Sequence, residues 1–237
     1  MSKVKLIVAL DTDLKTAGGL LKKLKGLPVI YKIGSSLFTL AGPRAVDLVH
    51  KHGGKVFLDL KFYDIPNTVR NAVESAARLG VYSVSLHLSG GAKMFKAAST
   101  LKVRPLLWGI TVLTSFDEEA FAGSGFAGGI EKNILRLAVL GAENGADGVV
   151  CSPLEAAAVK RRFGGALKII TPGIRLAGGV DDQRRTLSPA GALSAGADMM
   201  VVGRPVLAAR DPAAVVREIL KELDKAGRDK KTRDPEA

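Results

Sequence analysis

Eight short apolar runs recur along the chain, each separated from the next by a longer stretch with helical character, and few folds accommodate that rhythm. The runs cover residues 4–10, 29–33, 55–60, 83–87, 105–111, 148–151, 168–171 and 199–202. Helical patterns lie between them, among them 43–52, 68–79, 131–144 and 154–162, and one over 205–226 closes the series. Strands alternating with helices imply βαβ units and a parallel sheet. Eight such units in 237 residues match a closed (β/α)8 barrel, the TIM architecture, whose usual size is ~250 residues. An open doubly wound sheet is the structural alternative. A single α/β barrel domain is expected over residues 1–225, with 226–237 as a charged, flexible tail. Leu79-Gly80-Val81, Asn144-Gly145-Ala146-Asp147 and Ala195-Gly196-Ala197-Asp198 precede strands and read as helix C-caps, with glycine supplying the left-handed turn.

Composition narrows the function classes. Apolar residues make up 47% of the chain but aromatics only 5%, so the core is aliphatic, as in a parallel sheet covered by helices. The net charge of +12 is compatible with nucleic acid, an anionic membrane or an anionic substrate. Lysine and arginine are spread along the chain, and only residues 225–233 cluster, interrupted by Asp229. The interleaving of aromatic and basic residues found in single-strand binders is missing, so no nucleic-acid partner is expected. No apolar run approaches membrane-spanning length, and the first run stops at Asp11 without a cleavage pattern. The one cysteine, Cys151, excludes a disulfide within the chain; it reads as a small buried residue and fits a reducing cytoplasm.

A barrel places its chemistry at the C-terminal ends of its strands. The first run ends at Asp11, the second carries Lys32, and the third runs into Asp59-Leu60-Lys61. Side chains at i and i+2 share a face of a strand, so Asp59 and Lys61 are expected together at the mouth, with Leu58 and Leu60 turned to the helices. Buried charges need partners, so these residues are expected to alternate in one paired network. Asp64 follows where the chain enters the next helix. Across the barrel, Thr171-Pro172-Gly173-Ile174-Arg175, the glycine-rich loop with Asp181-Asp182-Gln183, and Val202-Gly203-Arg204-Pro205 suggest a phosphate site after strands seven and eight. Gly203 admits a ligand to the backbone, Pro205 suits a first helical position, and Arg204 with a helix N-terminus would attract a dianion.

Other motifs carry less. Gly123-Ser124-Gly125-Phe126-Ala127-Gly128 has dinucleotide-loop glycines but no strand leading into it, so a flexible lid is the better reading. The three histidines, His50, His52 and His87, form no metal set.

The stretch Asp59-Leu60-Lys61-Phe62-Tyr63-Asp64-Ile65-Pro66-Asn67-Thr68 resembles the signature of the orotidine 5'-phosphate decarboxylase family, and Leu10-Asp11, Tyr31-Lys32-Ile33-Gly34, Ser85-Leu86-His87 and Thr111-Val112-Leu113-Thr114-Ser115 are similar to its other motifs. The resemblance implies decarboxylation of orotidine 5'-monophosphate to uridine 5'-monophosphate and CO2 without cofactor or metal, by a homodimer with shared sites. It makes Lys32, Asp59, Lys61 and Asp64 the charged array, with Asp64, Ile65 and Thr68 reaching the neighbouring subunit. Asp11 and Lys32 would hold the ribose, Thr114 and Pro172 would lie near the pyrimidine, and Arg175, Gln183, Gly203 and Arg204 would hold the phosphate. Lys61 would stabilise and protonate a carbanion at ring C6. The nearest rival, a Mg-dependent decarboxylase or aldolase on a sugar phosphate, would carry an acidic residue near Lys32.

Overall fold

The computed structural model describes residues 5–174 and 187–233. Eight parallel strands close a barrel in sequence order: β1 (Lys5–Ala9), β2 (Val29–Gly34), β3 (Lys55–Phe62), β4 (Ser83–His87), β5 (Leu106–Ile110), β6 (Gly148–Val150), β7 (Lys168–Thr171) and β8 (Met199–Val202). Closure comes from β8 returning to β1, with Lys5 opposite Met199 and Val8 opposite Val202. Every expected run is a strand, and the open-sheet alternative is excluded.

The barrel interior is filled from alternating positions of these strands. Ile7, Ile30, Phe57, Trp108, Ile170 and Met199 form one cluster inside it. The rings of Phe57 and Trp108 meet at 4.3 Å between centroids, a tilted contact that plugs the barrel. Leu6, Val8, Val84 and Leu107 point outward and are fully buried under the helices. The mouth above the plug is left for polar residues.

Two of the glycine phrases do more than end helices. Gly145 and Gly196 have φ of +88° and +101°, the left-handed region that glycine enters without strain. Each turns the chain so that the aspartate two residues later grips the neighbouring strand. The Asp147 carboxylate accepts from the Leu107 amide at 2.8 Å and pairs with Arg104. The Asp198 carboxylate accepts from the Ile169 amide at 3.0 Å and lies 3.5 Å from the Lys160 ammonium. The same Gly-Ala-Asp tripeptide therefore ties β6 to β5 and β8 to β7 at the end of the barrel away from the mouth.

Three expectations shift. The helix after β3 starts at Pro66, not at residue 68, because proline has no amide to leave unsatisfied in the first turn. The closing helix is two helices, Arg204–Leu207 and Pro212–Arg233. Asp211 breaks the run by accepting from the Ala214 amide at 3.0 Å, and Pro212 restarts it. That second helix crosses the expected boundary at residue 225, so residues 226–233 prolong the barrel's last helix.

The segment after β5 carries its own helix, Glu118–Gly123, and an apolar nucleus. Phe121 stacks on Phe126 at 4.9 Å and is 1% exposed. The Asn133 amide donates to the carbonyls of Ala127 and Gly129, and Glu118 accepts from the Ile130 amide. The glycines here wrap a buried asparagine, so the segment expected as a lid carries a packed nucleus of its own.

Asp147→Ala is expected to cost about 1–3 kcal/mol, because a backbone amide and an arginine lose their acceptor together. Urea unfolding measures it; an unchanged midpoint would reduce the tripeptide to a simple turn.

Candidate active site

Four charges meet at the mouth. The Lys32 ammonium on β2 lies 3.1 Å from Asp11, just past β1, and 3.6 Å from Asp59 Oδ2 on β3. The Lys61 ammonium lies 2.9 Å from the same Asp59 Oδ2. The other oxygen, Asp59 Oδ1, accepts from the Ser85 hydroxyl of β4 at 2.7 Å. Asp59 is 7% exposed, so its charge is supported by these partners and hardly by water. Burial pushes its carboxyl pKa up, but Lys61, Lys32 and the hydrogen bonds from Lys61 and Ser85 outweigh that, leaving it below the usual carboxylate value. Asp59 is therefore an anion at neutral pH.

The expected pairing of Asp59 with Lys61 is present, but simple strand alternation does not produce it. Lys61 has φ of +52°, alone among described non-glycine residues in the left-handed region. The β3–β4 register jumps from Leu58 opposite Val84 to Phe62 opposite Leu86. Asp59, Leu60 and Lys61 thus face the single residue Ser85, and the strand bulges there. Gly34 makes room beside the array: a Cβ there would stand 3.0 Å from the Lys32 ammonium and 3.1 Å from Asp11.

These charges line a cavity of about 560 Å³, within the ~300–1,000 Å³ usual for small-ligand sites. Thr114, Pro172, Gly203 and Arg204, expected from sequence, line it as well. Apolar wall is supplied by Phe57, Ile110, Val112 and Val150, and Cys151, buried as expected, also borders it. The helix opened by Arg204 is a single turn, so its dipole is smaller than expected and an anion there would rest mainly on the Arg204 side chain and nearby amides. Asp64, Ile65 and Thr68 are exposed and do not line the cavity of their own chain. The Asp64 carboxylate instead accepts from the Ile65 amide at 2.6 Å. Arg175 and Gln183, with Asp181 and Asp182, lie outside the described residues.

Ser85 and Gly34 were not singled out as site residues from sequence. Both stand within quoted motifs, Ser85-Leu86-His87 and Tyr31-Lys32-Ile33-Gly34, and Gly34 lies two residues beyond Lys32 on the same face.

The model of the orotidine 5'-phosphate decarboxylase / HUMPS family matches residues 4–219. The chain belongs to this family. The matched span contains every site residue from Asp11 to Arg204. Among curated relatives, the orotidine 5'-phosphate decarboxylase of Vibrio cholerae is 46% identical over 226 residues, covering 92% of this chain and 98% of the relative. That of Halorhodospira halophila is 46% identical over 229 residues, covering 94% and 97%. A crystal structure of orotidine 5'-phosphate decarboxylase from Lactobacillus acidophilus has a TM-score of 0.81 at 35% identity, covering 92% and 98%. One from Pyrococcus horikoshii has a TM-score of 0.77 at 24% identity, covering 92% and 99%, and bears on the fold alone.

In this family member, His87 ends β4 behind the array, with Tyr63 edge-on at 5.6 Å. Burial pulls its pKa below the ordinary 6.5, the Lys61 charge lowers it further, and Asp59 opposes them more weakly. The imidazole is neutral at pH 7. Because the folded pKa lies below the unfolded one, the unfolded chain takes up the proton first, and stability falls as the pH drops below about 6.5. His87→Gln should flatten the decline of Tm between about pH 7 and about pH 5. An unaltered slope would show that His87 does not contribute to it.

Proposed function

We propose that the chain decarboxylates orotidine 5'-monophosphate to uridine 5'-monophosphate and CO2, the step that forms UMP, and does so without a cofactor. The observation that carries this reading is an ammonium, Lys61, fixed 2.9 Å from a buried carboxylate on the wall of a cavity that Gly203 and Arg204 also line. Family membership and the 46% identity to named orotidine 5'-phosphate decarboxylases support it.

The chemistry combines these placements with the residue roles that the family resemblance implies. The substrate's phosphate rests on Arg204 and the Gly203 backbone, with Arg175 and Gln183 as further expected contacts. Asp11 and Lys32 take the ribose hydroxyls, and Thr114 and Pro172 bound the pyrimidine. The ring's carboxylate then lies beside Asp59, an anion that repels it, and beside Lys61. The C6–carboxylate bond breaks, CO2 leaves, and the electron pair stays on C6. Lys61 stabilises that charge, then gives C6 its proton. The larger effect is stabilisation of the carbanion, because the ammonium is already oriented before the charge develops. Binding energy from the distant phosphate drives closure of the site and appears in the chemical step. The rival Mg-dependent reaction is disfavoured because the Lys32 ammonium already lies between the carboxylates of Asp11 and Asp59.

Asp64, Ile65 and Thr68 are exposed and do not line their own cavity, which supports a homodimer in which each subunit lends these residues to its neighbour's site. The enzyme is expected to work in the cytoplasm. Among described residues, no helix is long and apolar enough to cross a membrane.

The ultraviolet change on adding orotidine 5'-monophosphate in EDTA tests the reaction. Full turnover is expected, and Lys61→Ala should lower kcat by more than about a thousandfold with the fold intact. Near-normal activity in that variant, or turnover restored only by divalent metal, would remove this reading. Mixing inactive Asp64→Ala and Lys61→Ala proteins should recover up to about a quarter of wild-type activity, since half the dimers are hybrids with one intact site. No recovery despite demonstrated subunit exchange would contradict shared sites.

A further inference from the structure

We infer that Ser85 is a positioning residue for the decarboxylation: its hydroxyl holds the bulged strand and the Asp59 carboxylate together, and so sets where the Lys61 ammonium stands. The inference rests on the decarboxylase reading for its kinetic consequence, but the geometry stands without it.

The bulge leaves the Lys61 amide without a place in the β3–β4 ladder, since Asp59, Leu60 and Lys61 oppose one residue. That residue is Ser85, and its side chain supplies the missing acceptor: the Lys61 amide donates to Ser85 Oγ at 2.9 Å. The same hydroxyl donates its proton to Asp59 Oδ1 at 2.7 Å. One oxygen thus fixes the lysine's backbone and the carboxylate that its ammonium grips. With Oδ1 held by Ser85, Oδ2 is the oxygen turned to both Lys61, at 2.9 Å, and Lys32, at 3.6 Å. Ser85 is fully buried, so no solvent competes for either bond. A left-handed lysine is strained and persists only where its surroundings over-determine it. The bond from its own amide is the most direct such constraint.

Ser83 provides an internal control. It lies two residues earlier on the same face of β4, is equally buried, and its hydroxyl has no hydrogen-bond partner. Ser83→Ala removes a buried hydroxyl without breaking a bond, so a kinetic loss confined to Ser85 reports the two bonds that its oxygen makes and not the missing atom.

The test compares the full-length wild type with Ser85→Ala, Ser83→Ala and Ser85→Cys. For Ser85→Ala, kcat on orotidine 5'-monophosphate should fall about ten- to a hundredfold, the effect of a small misplacement of a reacting group. KM should stay within about threefold, because binding is dominated by the distant phosphate. Ser83→Ala should keep both constants. Should Ser85→Ala fail to fold, Ser85→Cys keeps the volume with a weak donor and carries the same expectation. A second readout needs no turnover: acetylation of Lys61 by acetic anhydride, followed by peptide mass spectrometry, should be several-fold faster in the Ser85 variants than in wild type or Ser83→Ala. The inference is overturned by an unchanged Lys61 labelling rate, by a kcat near wild type, by a raised KM at constant kcat, or by equal losses at Ser83. Wild type inert toward the nucleotide, with labelling still dependent on Ser85, would instead discard the proposed reaction and keep the positioning role.

Discussion

A carboxylate that is 7% exposed can remain charged only if its surroundings replace the water it has lost, and Asp59 organises the mouth of the barrel on that condition. Two ammonium groups and a hydroxyl meet it from three strands: Lys32 from β2, Lys61 from β3 and Ser85 from β4. Taking away any one partner leaves the others in an uncompensated low-dielectric site. The array is thus held as a unit, and its purpose is best seen in what it does to Lys61. An ammonium that is immobile and already oriented need not reorganise when negative charge appears nearby.

The scaffold supplies this at two levels. Below the mouth, Phe57 and Trp108 close the barrel with an apolar plug, so polar groups are confined to one end. At the opposite end, the repeated Gly-Ala-Asp tripeptides tie β6 to β5 and β8 to β7 through carboxylate-to-amide bonds. Strain is permitted where the chemistry is. Lys61 sits in a left-handed backbone conformation within a bulge, and the neighbouring strand supplies the side chain that satisfies its amide. This combination of rigid surroundings and one strained residue is characteristic of sites built for pre-organisation.

Much of the architecture was readable in advance. The strand rhythm located all eight strands to within two residues at each end, because apolar runs of that length, separated by helical stretches, leave little else to form. The apolar periodicity on either side of Asp211-Pro212 continues across that pair, which hides a local stop-and-start pattern within the closing helical stretch. At the site, Asp11, Lys32, Asp59, Lys61 and Arg204 are legible because strand ends in a barrel converge on one mouth, whereas Thr114 is indicated only by the family resemblance. Ser85 is not legible in the sequence because nothing along the chain distinguishes a serine facing a bulge from any other buried strand serine.

The order of residues alone therefore specified the barrel, the strand ends and the set of charges available there. These depend on local periodicity and on the sterics of short connections, which act between near neighbours in the chain. Which carboxylate oxygen faces which ammonium, where β3 bulges, and that Ser85 lies opposite the bulge were settled only when β2, β3 and β4 paired. The contacts of Lys32 with Asp11, of the Lys61 amide with Ser85 and of Ser85 with Asp59 join residues more than twenty positions apart, and their geometry is set by inter-strand register, which has no counterpart in any single segment.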